Sequence, residues 1–131
     1  MLQRILVVED NPDNMYVVDR VLTHQGYAVH QAASGEDALA LAAAQPFELI
    51  LMDMQMPGLD GYATVRAMRE LPGLERVPVI AVTANSMPGD RERSIEAGCT
   101  DYLAKPISTH DLVQLVEHYL GGARGGENSD R

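Results

Sequence analysis

Five side chains carry the chemistry legible in this sequence: Glu9, Asp10, Asp53, Thr83 and Lys105. Each follows a short apolar run. Glu9-Asp10 comes directly after Ile5-Leu6-Val7-Val8, Asp53 after Leu49-Ile50-Leu51-Met52, Thr83 after Ile80-Ala81-Val82, and Lys105 after Leu103-Ala104. Two adjacent acids brought near a third repel one another. At an effective dielectric of 20, two unit charges ~4 Å apart do so by ~4 kcal/mol. A hard cation with oxygen ligands relieves that cost. Mg2+ (or Mn2+) suits the set, since Mg2+ takes one or two protein carboxylates directly and keeps waters that a phosphoryl group can displace. Lys105 balances the remaining negative charge. It is the only lysine, the other nine basic residues being Arg, and its compact ammonium fits where a planar guanidinium would not. Such a constellation suits phosphoryl transfer, where catalysis is mostly positioning and charge neutralisation. Asp53 is then the nucleophile, and the Thr83 hydroxyl bonds a phosphoryl oxygen. The chemistry needs no histidine, and His24, His30, His110 and His118 are expected to be structural or surface residues.

These residues must be held at the ends of regular elements. Strand runs are predicted at residues 4–8, 27–31, 48–52, 77–82 and 101–104. In runs of the type Ile5-Leu6-Val7-Val8 and Leu49-Ile50-Leu51-Met52 the apolar residues are consecutive instead of alternating, as in parallel strands covered on both faces. Helices fall between them. Ser34 with Asp37 and Ser108 with Asp111 resemble capping boxes. Leu112, Leu115, Val116, Tyr119 and Leu120 form one apolar stripe on the last helix. Gly26, Gly98 and Gly121 fall at helix ends, and Pro46 and Pro72 fall just beyond two others. Fivefold alternation of strand and helix predicts a doubly wound α/β domain with a five-stranded parallel sheet, order 2-1-3-4-5, of the flavodoxin-like (βα)5 type. In such sheets the ligand site lies outside the carboxyl ends of the strands, where the five side chains named above fall. Asn11 and Asp13, taken singly, read as turn or helix-cap residues.

Composition bounds the partners. The chain has 131 residues, 46% of them hydrophobic, enough for one domain over residues 1–120 followed by a Gly-rich tail or linker start at 121–131. A net charge of −9 disfavours direct nucleic-acid binding. No run approaches the ~18 apolar residues of a membrane span, and no signal-peptide pattern opens the chain, so a cytoplasmic protein without a membrane span is expected. Cys99 is the only cysteine; it forms no internal disulfide and is expected to be a small semi-buried residue.

The segments Ile5-Leu6-Val7-Val8-Glu9-Asp10-Asn11, Leu49 through Asp53 to Met54-Gln55-Met56-Pro57-Gly58-Leu59-Asp60-Gly61, Ile80-Ala81-Val82-Thr83-Ala84 and Tyr102-Leu103-Ala104-Lys105-Pro106 together resemble the receiver domains of two-component response regulators. The style is that of the chemotaxis regulators, and more narrowly of stand-alone cell-cycle regulators and hybrid-kinase receivers. The resemblance spans nearly all of residues 4–120. It implies Asp53 as phosphoacceptor, with Mg2+ held by Glu9, Asp10, Asp53 and the backbone carbonyl of Gln55. It further implies Thr83 and Tyr102 as a switch pair, Lys105 as the phosphoryl contact, a phosphohistidine donor on a histidine kinase or histidine phosphotransfer protein, and a cis Lys105–Pro106 bond.

Two rivals fail on local sequence. A haloacid-dehalogenase-type phosphatase needs a second Asp two residues after its nucleophile, where this chain has Gln55. A flavodoxin-like cofactor carrier needs a phosphate cradle after strand one, where Glu9-Asp10-Asn11-Pro12-Asp13 would repel it. The same receiver within a hybrid histidine kinase or multidomain regulator fits the sequence equally well. The output is expected to be a protein target docking on the fourth helix, fifth strand and fifth helix. The fourth helix offers only Met87, Ile95 and Ala97 to bury and is thus expected to be weakly anchored.

Overall fold

The structure, a computed structural model, describes residues 2–84 and 88–121. Five strands, β1 Arg4–Val8, β2 Ala28–Ala32, β3 Leu49–Asp53, β4 Val79–Thr83 and β5 Asp101–Ala104, alternate with five helices, α1 Pro12–His24, α2 Gly35–Ala44, α3 Gly61–Arg69, α4 Asp90–Ala97 and α5 Thr109–Leu120. The strands are all parallel in the order β2-β1-β3-β4-β5, as predicted. Consecutive apolar residues feed two cores. Ile5, Val7, Leu49, Leu51, Ile80 and Val82 pack with α1 and α5 residues such as Leu22, Leu112 and Val116. Leu6, Val8, Ile50, Met52 and Ala81 pack with Ala38, Val65, Met68 and Ala97 from α2, α3 and α4.

Helix starts follow the cap chemistry. Ser34 and Ser108 accept from the amides of Asp37 and Asp111 at 3.0 and 3.2 Å. Asn11 caps α1 through Asn14 N–H at 3.0 Å, with Pro12 in the first turn. Three strands begin or end a residue or two away from their predicted bounds. The Tyr27 amide closes α1 by donating to Leu22 O, leaving β2 to begin at Ala28. The Val77 carbonyl is taken by the Arg69 guanidinium at 2.7 Å, and Pro78 has no amide to give the ladder, so β4 begins at Val79. Asp53 pairs with Val82 and Thr83 with Ala104, so both are the last strand residues instead of the first loop residues.

α4 is anchored differently from the sequence expectation. Ile95 is 44% exposed, while Ser94 and Ala97, one turn apart, are buried; Met87 lies outside the described residues. Arg69 also ties down the end of this helix, its Nε and Nη2 donating to Gly98 O at 3.0 and 2.7 Å. Gly98 sits at φ +117, where a side chain would be strained and would also meet Arg69 Cγ at 3.1 Å.

Candidate functional site

The ladder delivers Asp53 to the carboxyl end of the central strand, buried to 2% exposure. Its Oδ1 accepts from Gln55 N–H at 3.0 Å, and its Oδ2 lies 3.0 Å from Lys105 Nζ. That second contact is an ion pair without hydrogen-bond geometry, so Oδ2 accepts no directional hydrogen bond although it is fully enclosed. Glu9, the residue directly after β1, is buried to 5%; its Oε2 accepts from Asn11 N–H at 3.0 Å and its Oε1 is 3.9 Å from Lys105 Nζ. Burial raises the Glu9 carboxyl above its ordinary range and the Asp53 charge adds to this, while the Asn11 amide and the Lys105 ammonium oppose it. Asp10 is exposed, and one carboxylate oxygen from each of Glu9, Asp10 and Asp53 lies within 4.8 Å of the others. An enclosed carboxylate oxygen without a hydrogen bond, inside a three-carboxylate cluster, matches the hard-oxygen donor set that Mg2+ requires.

The lysine and the hydroxyl arrive from neighbouring strands. Lys105 N–H donates to Thr83 O at 2.9 Å, which fixes the end of β5 against the end of β4, and the Lys105–Pro106 bond is cis. Thr83 is fully buried. Tyr102 is half-buried on β5, paired with Ala81. Among the described residues no histidine is bonded to the cluster: His30 approaches Gln45 Nε2 at 3.3 Å, His118 packs edge-on against Tyr119, and His24 and His110 are exposed. Cys99 is buried more completely than expected, and burial pushes its thiol up to about 11.

Two contributions have no counterpart in the sequence reading. The Gln55 side chain bonds both Thr83 Oγ1, at 2.6 Å, and Ala84 N–H, at 2.8 Å; a lone Gln two residues beyond an acid carries no signal of such reach. Gly61 matters by its missing side chain. A Cβ there would lie 2.6 Å from Met54 Cα and 2.9 Å from Asp53 O, both backbone atoms. Gly61→Ala is therefore expected to lower stability by about 1–3 kcal/mol and to shift the loop that follows Asp53, read as a drop in denaturation midpoint. An unchanged midpoint would contradict the close approach.

Fold and site together define a class. The chain belongs to the response regulator receiver domain family, whose profile matches residues 5–117. It is 40% identical over 119 residues to the signal transduction histidine-protein kinase BarA of Escherichia coli K12, covering 91% of this chain and 13% of BarA. It is 38% identical over 123 residues to the polar-differentiation response regulator DivK of Brucella ovis, covering 94% of this chain and all of DivK. Among solved structures, the receiver domain of a sensor histidine kinase from Pseudomonas aeruginosa PAO1 superposes with a TM-score of 0.85 at 43% identity. The match covers 93% of this chain and 100% of that one, which was solved with a magnesium ion coordinated in its active site cleft. The chain is thus a two-component receiver domain. No helix among the described residues is long and apolar enough to cross a membrane.

Proposed function

We propose that this domain accepts a phosphoryl group on Asp53 in the cytoplasm, from a phosphohistidine of a histidine kinase or histidine phosphotransfer protein, and thereby switches a protein-binding face formed by α4, β5 and α5. The observation that carries the reading is the buried Asp53 carboxylate, paired with the only lysine at 3.0 Å inside a cluster with Glu9 and Asp10. In the transfer, an Asp53 oxygen attacks phosphorus, the donor's P–N bond breaks, and its electron pair returns to the imidazole. Glu9, Asp10, Asp53 and the Gln55 carbonyl would hold Mg2+ (or Mn2+), which supplies charge neutralisation for the transferred oxygens. Lys105 stabilises the charge of the acyl phosphate from the other side. A phosphatase mechanism lacks its second acid, because that position is Gln55, whose carboxamide bonds Thr83 and Ala84 instead. The likeness to one segment of BarA supports a second architecture, in which the same receiver works within a hybrid kinase.

Mg2+ is expected to raise the melting temperature by neutralising the acids. At a hundred times its dissociation constant, binding contributes about 2.7 kcal/mol, or roughly 10 °C for a domain of this size. Asp10→Asn should weaken this response and raise the metal-free melting temperature by removing a repelling charge. Identical melting in Mg2+ and in chelator would misplace the metal.

Phosphorylation must favour the active state through differential contacts. With an acyl-phosphate mimic and Mg2+, amide-exchange changes are expected to concentrate in residues 84–106. Thr83→Ala should remove these distant changes while leaving Asp53 able to react. Changes restricted to the neighbours of Asp53 would rule out this output face.

A further inference from the structure

The Gln55 carboxamide spans two strand ends. Its backbone N–H is bound to Asp53 Oδ1 at 3.0 Å, its Nε2 donates to Thr83 Oγ1 at 2.6 Å, and its Oε1 accepts from Ala84 N–H at 2.8 Å. Both polar ends of one side chain therefore grip consecutive residues at the exit of β4, and its root is fastened to the acid two positions earlier. We propose that Gln55 is a positioning residue, a latch that holds Thr83 and Ala84 in their resting place and so sets how readily the domain switches. The inference rests on the phosphoacceptor reading above and goes beyond the metal-binding carbonyl assigned to this residue.

The geometry favours a latch over an ordinary satisfied amide. Ala84 is exposed, so water could satisfy its N–H and folding alone does not require the bond. The Thr83 carbonyl accepts from Lys105 N–H at 2.9 Å, and its hydroxyl oxygen accepts from Gln55 Nε2. Moving the hydroxyl toward Asp53 breaks the bond to Nε2, and moving the backbone with it breaks the bond to Oε1. A phosphoryl group on Asp53 presents oxygens that only accept hydrogen bonds. They compete for the Nε2 donor, and drawing it away removes the Gln55 hold on Thr83 and favours turning its hydroxyl toward the same group. The span also selects the residue: Asn is one methylene too short, and Leu fills similar space with neither donor nor acceptor.

The test compares amide spectra of the full chain as wild type, Gln55→Leu and Gln55→Asn, each with Mg2+ alone and with Mg2+ plus beryllium fluoride. With Mg2+ alone, amides of residues 79–84 and 88–104 in both variants should be displaced from the wild-type resting positions along the line toward the wild-type beryllofluoride positions. Losing two hydrogen bonds should move the equilibrium roughly tenfold toward the switched state. The Ala84 amide should also exchange faster with solvent than in wild type. A residue that merely supports the fold would shift peaks off that line. If wild type responds to beryllium fluoride while the variants' resting spectra stay put or move off the line, or if Ala84 exchange is unchanged, the latch is wrong. A wild type that shows no response at all would overturn the phosphoacceptor reading, and the latch with it.

Discussion

Asp53→Asn is expected to reduce labelling by a phosphohistidine or small acyl-phosphate donor to the level of a chelated control. The amide oxygen lacks the negative charge that attacks phosphorus, while the rest of the site stays in place. Asn can still accept the Gln55 amide hydrogen bond, and it removes one of three clustered acids facing a single lysine. The variant should therefore fold at least as well as wild type without metal, separating loss of chemistry from loss of structure. Labelling at wild-type stoichiometry would end the assignment of Asp53.

The second large effect is expected at Lys105. Lys105→Met keeps most of the stem and removes the ammonium 3.0 Å from Asp53 Oδ2. Deleting one group aimed at developing negative charge typically lowers rates by roughly 10²–10³, and a loss of that size is expected in phosphotransfer at saturating Mg2+. Lys105→Arg should recover little, because a planar guanidinium does not occupy the place of a compact ammonium between Glu9 and Asp53. Without metal, Lys105→Met should also melt lower, since it leaves buried Asp53 and Glu9 without their counter-charge. A rate within threefold of wild type would show that the lysine only balances resting charge.

The sheet was legible because its central strands are apolar on both faces, a pattern that demands helices on both sides and a site at the strand ends. Glu9, Asp10, Asp53, Thr83 and Lys105 could be picked out because each follows a short apolar run, and the structure brings the three carboxylates and the lysine together. Strand bounds erred where a competing bond took a ladder group: Tyr27 N–H went to Leu22 O and Val77 O to Arg69. Hydrophobicity favoured Ile95 as the anchor of α4, yet the face toward the core is small, and Ser94 and Ala97 fit it where the larger Ile95 stays at the surface. The Gln55 bracket was hidden for another reason. Side-chain reach across 28 residues of sequence is fixed by strand register, which no local pattern encodes.

The central claim is that the phosphoryl group resides on the Asp53 carboxylate, and locating the modified residue tests it most directly. Wild-type protein is phosphorylated in Mg2+, reduced with borohydride to convert an acyl phosphate into homoserine, and digested for mass-spectrometric mapping. Homoserine at position 53, dependent on both donor and Mg2+, is the expected result. Conversion at Asp10 or Asp13 with Asp53 intact, or phosphate retained on Thr83 or a histidine, would contradict the assignment.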